Sequence, residues 1–322
     1  MNSKIKICVV GGGNWGKNHI NTLSKLGNLG GIVDSSQEII QLNKEKHPNC
    51  KCFYAIEDSF NYDFDGYIVA TPPLTHYKLA KKIIKHGKPV LVEKPFTLSL
   101  DDALDLNDYA KSKNINIYVG HLLLFHPAYL KIKEMIDSGL LGKVQYIYSN
   151  RLNLGKIRKD ENVFWSFAPH DIALLQFFIN SFPEKIISEG SAVIREGVHD
   201  TTITSLKYPN NIMCHIFVSW LHPYKEHKFI IVGSKGMISY EDSSEEKPLI
   251  FYDKRIDWID GDSIPLSGEV KLINYSQGLA LDNQLSYFIN TLHKSSINKI
   301  NGDSAVDVIK ILDIASRNLK NK

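Results

Sequence analysis

Residues 5 to 19 read IKICVVGGGNWGKNH, and this stretch limits the fold more than any other. IKICVV is a short β-branched run without turn residues, as expected of a buried parallel strand. It leads into Gly11, Gly13 and Gly16, a G-x-G-x-x-G, and then into KNHINTLSKL, where Ile20, Leu23 and Leu26 recur at helical spacing. LGGIVD follows as a second strand that ends in Asp34. Strand, glycine turn, helix, strand and terminal acid make a dinucleotide-binding fingerprint, whereas the glycines without that context carry little weight. Gly11 allows the tight turn, Gly13 lets the backbone approach a pyrophosphate, and Gly16 lets helix and strand pack closely. The helix's free N–H groups and positive dipole end then hold the phosphates. Asn14 and Trp15, between the last two glycines, are assigned to the same cofactor contact. Asp34 accepts from the adenosine ribose and repels the extra phosphate of NADP. Ser35, Ser36 and Gln37 bring no arginine, so the expected cofactor is NAD.

The alternation continues through KCFY, YDFDGYIVAT, PVLVEKP and INIYVG as strands, with THYKLAKKIIKHGKP and DDALDLNDYAKSK as helices. Thr75 is expected to cap the first of these helices and Gly87 to end it, and Ser99 with Asp102 fits a capping box for the second. Strands separated by helices of this length give a doubly wound parallel sheet of the α/β class, a Rossmann domain over residues 1–122. Ligands of such sheets bind outside the carboxyl ends of the strands, which directs attention to two strand ends. ATPPLTH contributes Thr71, Pro72 and His76 as cofactor contacts on a backbone stiffened by two prolines. LVEKPF contributes Glu93 and Lys94, framed by Pro95 at the cofactor edge. A solvated lysine would not need that rigid frame.

Composition bounds the partners. The chain has 322 residues, enough for two domains, and a formal net charge of +3 with its lysines scattered. A concentrated basic face, the mark of nucleic-acid binding, is missing. Cys8, Cys50, Cys52 and Cys214 form no metal or redox pattern, and His222 and His227 have no partner at ligand spacing, so no metal is expected. MNSKIKICVV shows no signal-peptide cleavage region and no apolar stretch is long enough for a bilayer, so the expectation is a cytoplasmic protein without a membrane partner.

The remainder, residues 123–322, reads as a second domain. KVQYIYSNRL, TTITSLKYP, NIMCHIFVSW and KFIIVGSKGMISY alternate as strands of a sheet with one covered face. ISYEDSSEEKP and KRIDWIDGDSIPLSGEV read as polar, turn-rich connections. NVFWSFAPHDIALL places one His-Asp pair, His170 and Asp171, before an apolar run. His170 is either a proton carrier or a polar residue at the start of a helix. Upstream, RLNLGKIRK brings Arg151, Asn153, Lys156, Arg158 and Lys159 together. These are either a solvated loop or a diphosphate grip, for which Arg151 and Arg158 are best suited because guanidinium groups offer paired donors. Trp165 can stack on a sugar or base, or belong to the core.

GGGNWG, Asp34, ATPPLTH and EKP, in this order and spacing, resemble the glucose–fructose oxidoreductase, inositol dehydrogenase and rhizopine catabolism family. HPAYLKIKEMIDSGLLGKV resembles the family's linking helix and next strand, and LDNQLSYFINTLH and SAVDVIKILDIASRNL resemble its terminal helices, so the likeness covers nearly the whole chain. It implies a C-terminal α+β domain with a large, mostly antiparallel sheet that covers the nicotinamide. It further implies that Lys94 lies beside the nicotinamide and the substrate hydroxyl, that the bond to Pro95 is cis, and that the open sheet face pairs copies into a homodimer or homotetramer. The family commonly carries D-x-x-x-H, whose histidine meets the reacting hydroxyl, and His170 falls on that histidine. Ser166 stands where the family has aspartate, and Leu122 and Leu124 stand in GHLLLFHP where it often has asparagine and arginine.

Within the family, NRLNLGKIR followed by NVFWSFAPHD resembles NAD-dependent oxidoreductases of nucleotide-linked amino sugars in surface-polysaccharide and lipid A pathways, UDP-N-acetylglucosamine 3-dehydrogenases among them. That likeness makes the substrate partner a nucleotide sugar, oxidised at its 3-hydroxyl, with Arg151, Asn153, Arg158, Trp165 and His170 as its contacts. Alcohol oxidation needs a proton acceptor, and His170 takes that role with Lys94 orienting the oxygen, or the two exchange roles. A dehydrogenase of a free sugar or inositol and a non-catalytic NAD-binding sensor stand as alternatives.

Overall fold

A computed structural model describes residues 4–158 and 161–320. Along the chain run β1 (Ile7–Val10), α1 (Gly16–Leu26), β2 (Leu29–Val33), α2 (Gln37–Lys46), β3 (Lys51–Phe53), a one-turn α3 (Ile56–Ser59), β4 (Gly66–Val69), α4 (His76–Lys85), β5 (Val90–Val92), α5 (Leu100–Ser112) and β6 (Ile117–Val119). Then come α6 (Pro127–Asp137), β7 (Val144–Leu154), α7 (Val163–Ile179), β8 (Lys185–Ser191), β9 (Thr201–Tyr208), β10 (Ile212–Ser219), β11 (Leu221–Gly233), β12 (Met237–Glu241), β13 (Leu249–Ile259), β14 (Asp262–Leu272), α8 (Ala280–Thr291) and α9 (Gly302–Lys320).

The chain forms two compact units, residues up to Phe125 with Leu279–Ile309, and His126–Gly278 with the residues from Lys310 onward. The first unit holds a parallel sheet in the order β3-β2-β1-β4-β5-β6. Its central strands are covered on both faces. Every residue of β1, β4, β5 and β6 is buried, which demands the continuous apolar runs that the sequence shows. On α1, Gly16, His19, Ile20 and Leu23 share the buried face at helical spacing. Ser99 accepts from the Asp102 N–H and caps α5, and Gly87 follows α4 with a φ of 82°, where a side chain would be strained. Thr75, expected to cap α4, does not; its hydroxyl contacts Thr71 and the Pro72 carbonyl in the turn before the helix.

The second unit holds a sheet in the order β14-β13-β12-β11-β7-β10-β9-β8, antiparallel except where β7 meets β10. Ile147, Leu206, Cys214, Ile216 and Val218 are buried on one face while Ile203 and Met213 are exposed on the other. That alternation is the single-covered-face pattern expected of this sheet.

Two boundaries differ from the sequence reading. The expected division at 122/123 falls at Phe125/His126, and Leu279–Ile309 returns to the first unit rather than the second. The cause is packing: a side chain on Gly66 at the start of β4 would meet Leu292 at 2.8 Å and Phe288 at 3.2 Å, and the Tyr118 ring of β6 meets Phe288 edge-on at 4.8 Å. The stretch read as the connection KRIDWIDGDSIPLSGEV is in fact the hairpin of β13 and β14, paired from Ile250↔Leu272 to Ile259↔Asp262. Asp260 and Gly261 both have positive φ, 54° and 90°, so they supply the Asp-Gly turn that hairpins favour.

Candidate active site

The first unit presents its chemistry at the carboxyl ends of its strands. After β1 the chain turns at Gly11, whose φ is 96°; a side chain there would meet the Ala70 carbonyl oxygen at 2.8 Å. A side chain on Gly16 would lie 1.9 Å from the Gly11 carbonyl oxygen, whereas one on Gly13 would meet nothing within 4 Å. Gly11 and Gly16 therefore close the turn on itself, and Gly13 faces open space, as a residue approached by a pyrophosphate must. Trp15 sits at the N-cap of α1 without a side-chain cap, and among the described residues no carbonyl accepts from the N–H groups of Gly13, Asn14 or Trp15. A helix start left without acceptors is an anion site. Asp34, just past β2, accepts from the N–H groups of Gly12 at 2.7 Å and Ser36 at 2.9 Å, which fixes its carboxylate beside the glycine loop. The residues present thus fit a dinucleotide: α1 and Gly13 for the diphosphate, Asp34 for the adenosine ribose.

The ends of β4 and β5 carry the second group. Thr71 and Pro72 follow β4, and the Thr71 and Thr75 hydroxyls lie 2.7 Å apart. His76 is buried, with Nδ1 2.8 Å from the Pro95 carbonyl and Nε2 2.9 Å from the Thr71 carbonyl. It ties the two turns to one another, so it shapes the cofactor edge through them. Burial pushes its imidazole down, against the opposing pull of the two carbonyls and Glu93. The Lys94–Pro95 peptide is cis. Glu93 turns its carboxylate inward to Trp15, His19 and the Lys94 N–H. His19 and His121 belong to this group and were not singled out from the sequence. His121 is the second residue past β6, as Lys94 is past β5, so the same strand-end signal marks both. Burial pushes it down to about 4, and it feels both the Glu93 and the Lys94 charges.

In the second unit, Asn162 caps α7 by accepting from the Trp165 N–H. His170 therefore lies well inside the helix and not at its start, which removes the capping role as an account of it. Ser166 stands one turn earlier on the same face. Asp171, fully buried, accepts two hydrogen bonds from Arg151, each 2.9 Å, and one from the Ser149 hydroxyl at 2.8 Å. Arg151, a candidate diphosphate ligand, is thus committed to Asp171, and burial that alone would weaken its charge is overcome by that carboxylate. Arg158 pairs at the surface with Glu161 at 2.6 Å. Asn153, next along β7, keeps its side-chain oxygen buried and without a partner among the described residues. The Trp165 indole donates to the Ser316 hydroxyl of α9 at 2.7 Å. Lys159 lies outside the described residues.

Residues 5–121 match the model of the oxidoreductase family with an NAD-binding Rossmann fold, and residues 129–239 match the GFO/IDH/MocA C-terminal domain. An uncharacterized oxidoreductase of Streptococcus pneumoniae is 30% identical over 192 residues, 55% of this chain and 52% of that protein. The UDP-N-acetylglucosamine 3-dehydrogenase of Acidithiobacillus ferrooxidans is 27% identical over 190 residues, 58% of each chain. The scyllo-inositol 2-dehydrogenase (NAD(+)) of Bacillus subtilis is 25% identical over 185 residues, 54% of each. The chain therefore spans about half the length of the curated relatives it matches. The solved structure of the Acidithiobacillus enzyme superposes with a TM-score of 0.85 at 20% identity over 98% of both chains, a likeness of fold. With both of its domains matched in order, the chain belongs to the GFO/IDH/MocA family of oxidoreductases and carries that family's NAD-binding Rossmann domain.

Proposed function

We propose that this chain is an NAD-dependent dehydrogenase that oxidises a secondary hydroxyl, the 3-hydroxyl, of a nucleotide-linked amino sugar such as UDP-N-acetylglucosamine. The observation that carries the dehydrogenase reading is the arrangement at the ends of β1, β4 and β5. An uncapped helix start, the Thr71–Pro72 turn and the Lys94–Pro95 turn stand on adjacent strands of one sheet. The substrate class is supported by the likeness to the Acidithiobacillus 3-dehydrogenase.

Bound NAD supplies the hydride acceptor. His170 takes the hydroxyl proton as general base, and Lys94 orients the oxygen and stabilises its developing charge. A positioned base contributes roughly a hundredfold to ten-thousandfold in rate. Asn153, whose side-chain oxygen has no partner among the described residues, offers it to a sugar hydroxyl or amide.

One observation favours a second reading, a dehydrogenase of a free sugar or inositol. Arg151 is committed to the buried Asp171, which takes one of the two candidate arginines away from a diphosphate, while Arg158 makes only an exposed surface pair with Glu161. The test is an absorbance spectrum of the protein with NAD before and after UDP-N-acetylglucosamine, then N-acetylglucosamine, then inositol. Growth of the reduced-nicotinamide band with the nucleotide sugar alone supports the first reading. Growth with a free sugar or inositol alone replaces it with the second, and silence throughout removes both.

A further inference from the structure

The Glu93 carboxylate collects three donors within the first unit. Oε1 accepts from Trp15 Nε1 at 2.6 Å and lies 2.7 Å from His19 Nε2, and Oε2 accepts from the Lys94 N–H at 3.1 Å. The backbone just past β6 closes over it, since a side chain on Gly120 would come within 2.9 to 3.0 Å of the carboxylate atoms. Burial alone raises this carboxyl, but the donors outweigh it and hold the group below its ordinary value. His19 is fully buried, and its second ring nitrogen, Nδ1, has no partner among the described residues. Trp15 and His19 thus hold a buried carboxylate under the strand ends.

Topology states what that charge faces. Asp34 ends β2 and marks the adenosine side, the loop after β1 takes the diphosphate, and the sheet continues β4 then β5. The remaining half of a dinucleotide lies over the ends of β4 and β5, and Glu93 is the first residue past β5. An oxidised nicotinamide ring carries a positive charge that the reduced ring lacks. We propose that Glu93, held as a buried anion by Trp15 and His19, sets the redox preference of this site by stabilising NAD+ over NADH. Lys94 is the neighbouring cation, and removing the carboxylate leaves its field uncompensated, which strengthens the effect. The inference rests on NAD binding by the first unit and is independent of which sugar is oxidised.

The experiment measures the dissociation constants of NAD+ and NADH separately, by calorimetry and by nicotinamide fluorescence, with no substrate present. In Glu93→Gln the ratio Kd(NAD+)/Kd(NADH) rises by roughly tenfold, as expected for loss of one charge in a partly dry site. That fold-change moves the bound couple by about 30 mV in the positive direction. Glu93→Asp keeps the charge and leaves the ratio within about twofold of wild type. Because a purely structural defect weakens both forms alike, a parallel loss of affinity with an unchanged ratio overturns the proposal, and so does a ratio that falls. Glu93→Ala is the second route should Glu93→Gln fail to fold. It removes the same charge, and the ratio rises in the same direction; an unchanged ratio there refutes the idea equally.

Discussion

The pair of Arg151 and Asp171 offers a prediction that separates a structural from a substrate-binding arginine. Asp171 is fully buried and the Arg151 side chain is 11% exposed, so solvent screens the pair very little. Two hydrogen bonds of 2.9 Å join them, and the Ser149 hydroxyl completes the shell. Arg151→Met keeps the length of the side chain and much of its packing, yet leaves a carboxylate in the interior with one hydroxyl donor. Removing one partner of a buried pair costs about 3–5 kcal/mol, because the survivor is an uncompensated charge. For a unit of this size each kcal/mol corresponds to about 2–4 °C in Tm, so the expected fall is roughly 6–20 °C. Thermal unfolding followed by circular dichroism at neutral pH measures it. The double variant R151M/D171N removes the imbalance, so its loss is smaller than the sum of the single losses, a coupling read from a double-mutant cycle. A Tm for Arg151→Met within 2 °C of wild type, accompanied by a raised KM for a nucleotide sugar, refutes the reasoning and returns Arg151 to the diphosphate.

Three further outcomes follow from the first unit. Lys94→Ala lowers turnover by at least about a hundredfold while NAD binding stays within a few-fold in a titration; wild-type turnover removes Lys94 from the mechanism. Gly16→Ala sets a methyl group 1.9 Å from the Gly11 carbonyl oxygen, which cannot yield without opening the loop. NAD affinity therefore falls by more than about tenfold, measured by calorimetry, and retained affinity shows that the loop is looser than described. His121, pushed down by burial to about 4, stays neutral in the folded chain while the unfolded chain takes up a proton near pH 6.5. The unfolded state then binds more protons between these values, so stability is lost as pH falls from about 6.5 to about 4, by about 3 kcal/mol from this residue. Urea unfolding at pH 5 and pH 7 shows the loss in wild type, and His121→Gln reduces it; equal slopes for the two proteins exclude His121 as the source.

How much of this was legible in the chain depends on the range of each signal. The glycine loop, Asp34 and the strand-helix alternation are local, and the parallel sheet followed from them. β13 and β14 were missed because strong polarity masked a hairpin whose Asp260–Gly261 turn is itself a local signal. The return of Leu279–Ile309 to the first unit was beyond reading, since it depends on Phe288 and Leu292 meeting Gly66 across more than half of the chain. The site shows the same division. Lys94 and Glu93 stand out in the sequence because they follow a strand, but the direction of the Glu93 carboxylate follows from Trp15 and His19 at the start of α1, far away in sequence. RLNLGKIRK reads either as a solvated loop or as a grip for phosphate, and neither reading anticipates the buried pair of Arg151 with Asp171. A cation in a polar run is ambiguous until its partner is known, and that partner, Asp171, was visible only as the neighbour of His170. The consequence bears on the chemistry. Asp171 anchors α7 to β7 through Arg151 and Ser149, so the residue beside it, His170, stands on a helix pinned at that turn. Loosening that anchor disturbs the proposed base before it disturbs any phosphate, and Arg151→Met should lower kcat where a lost phosphate ligand would raise KM.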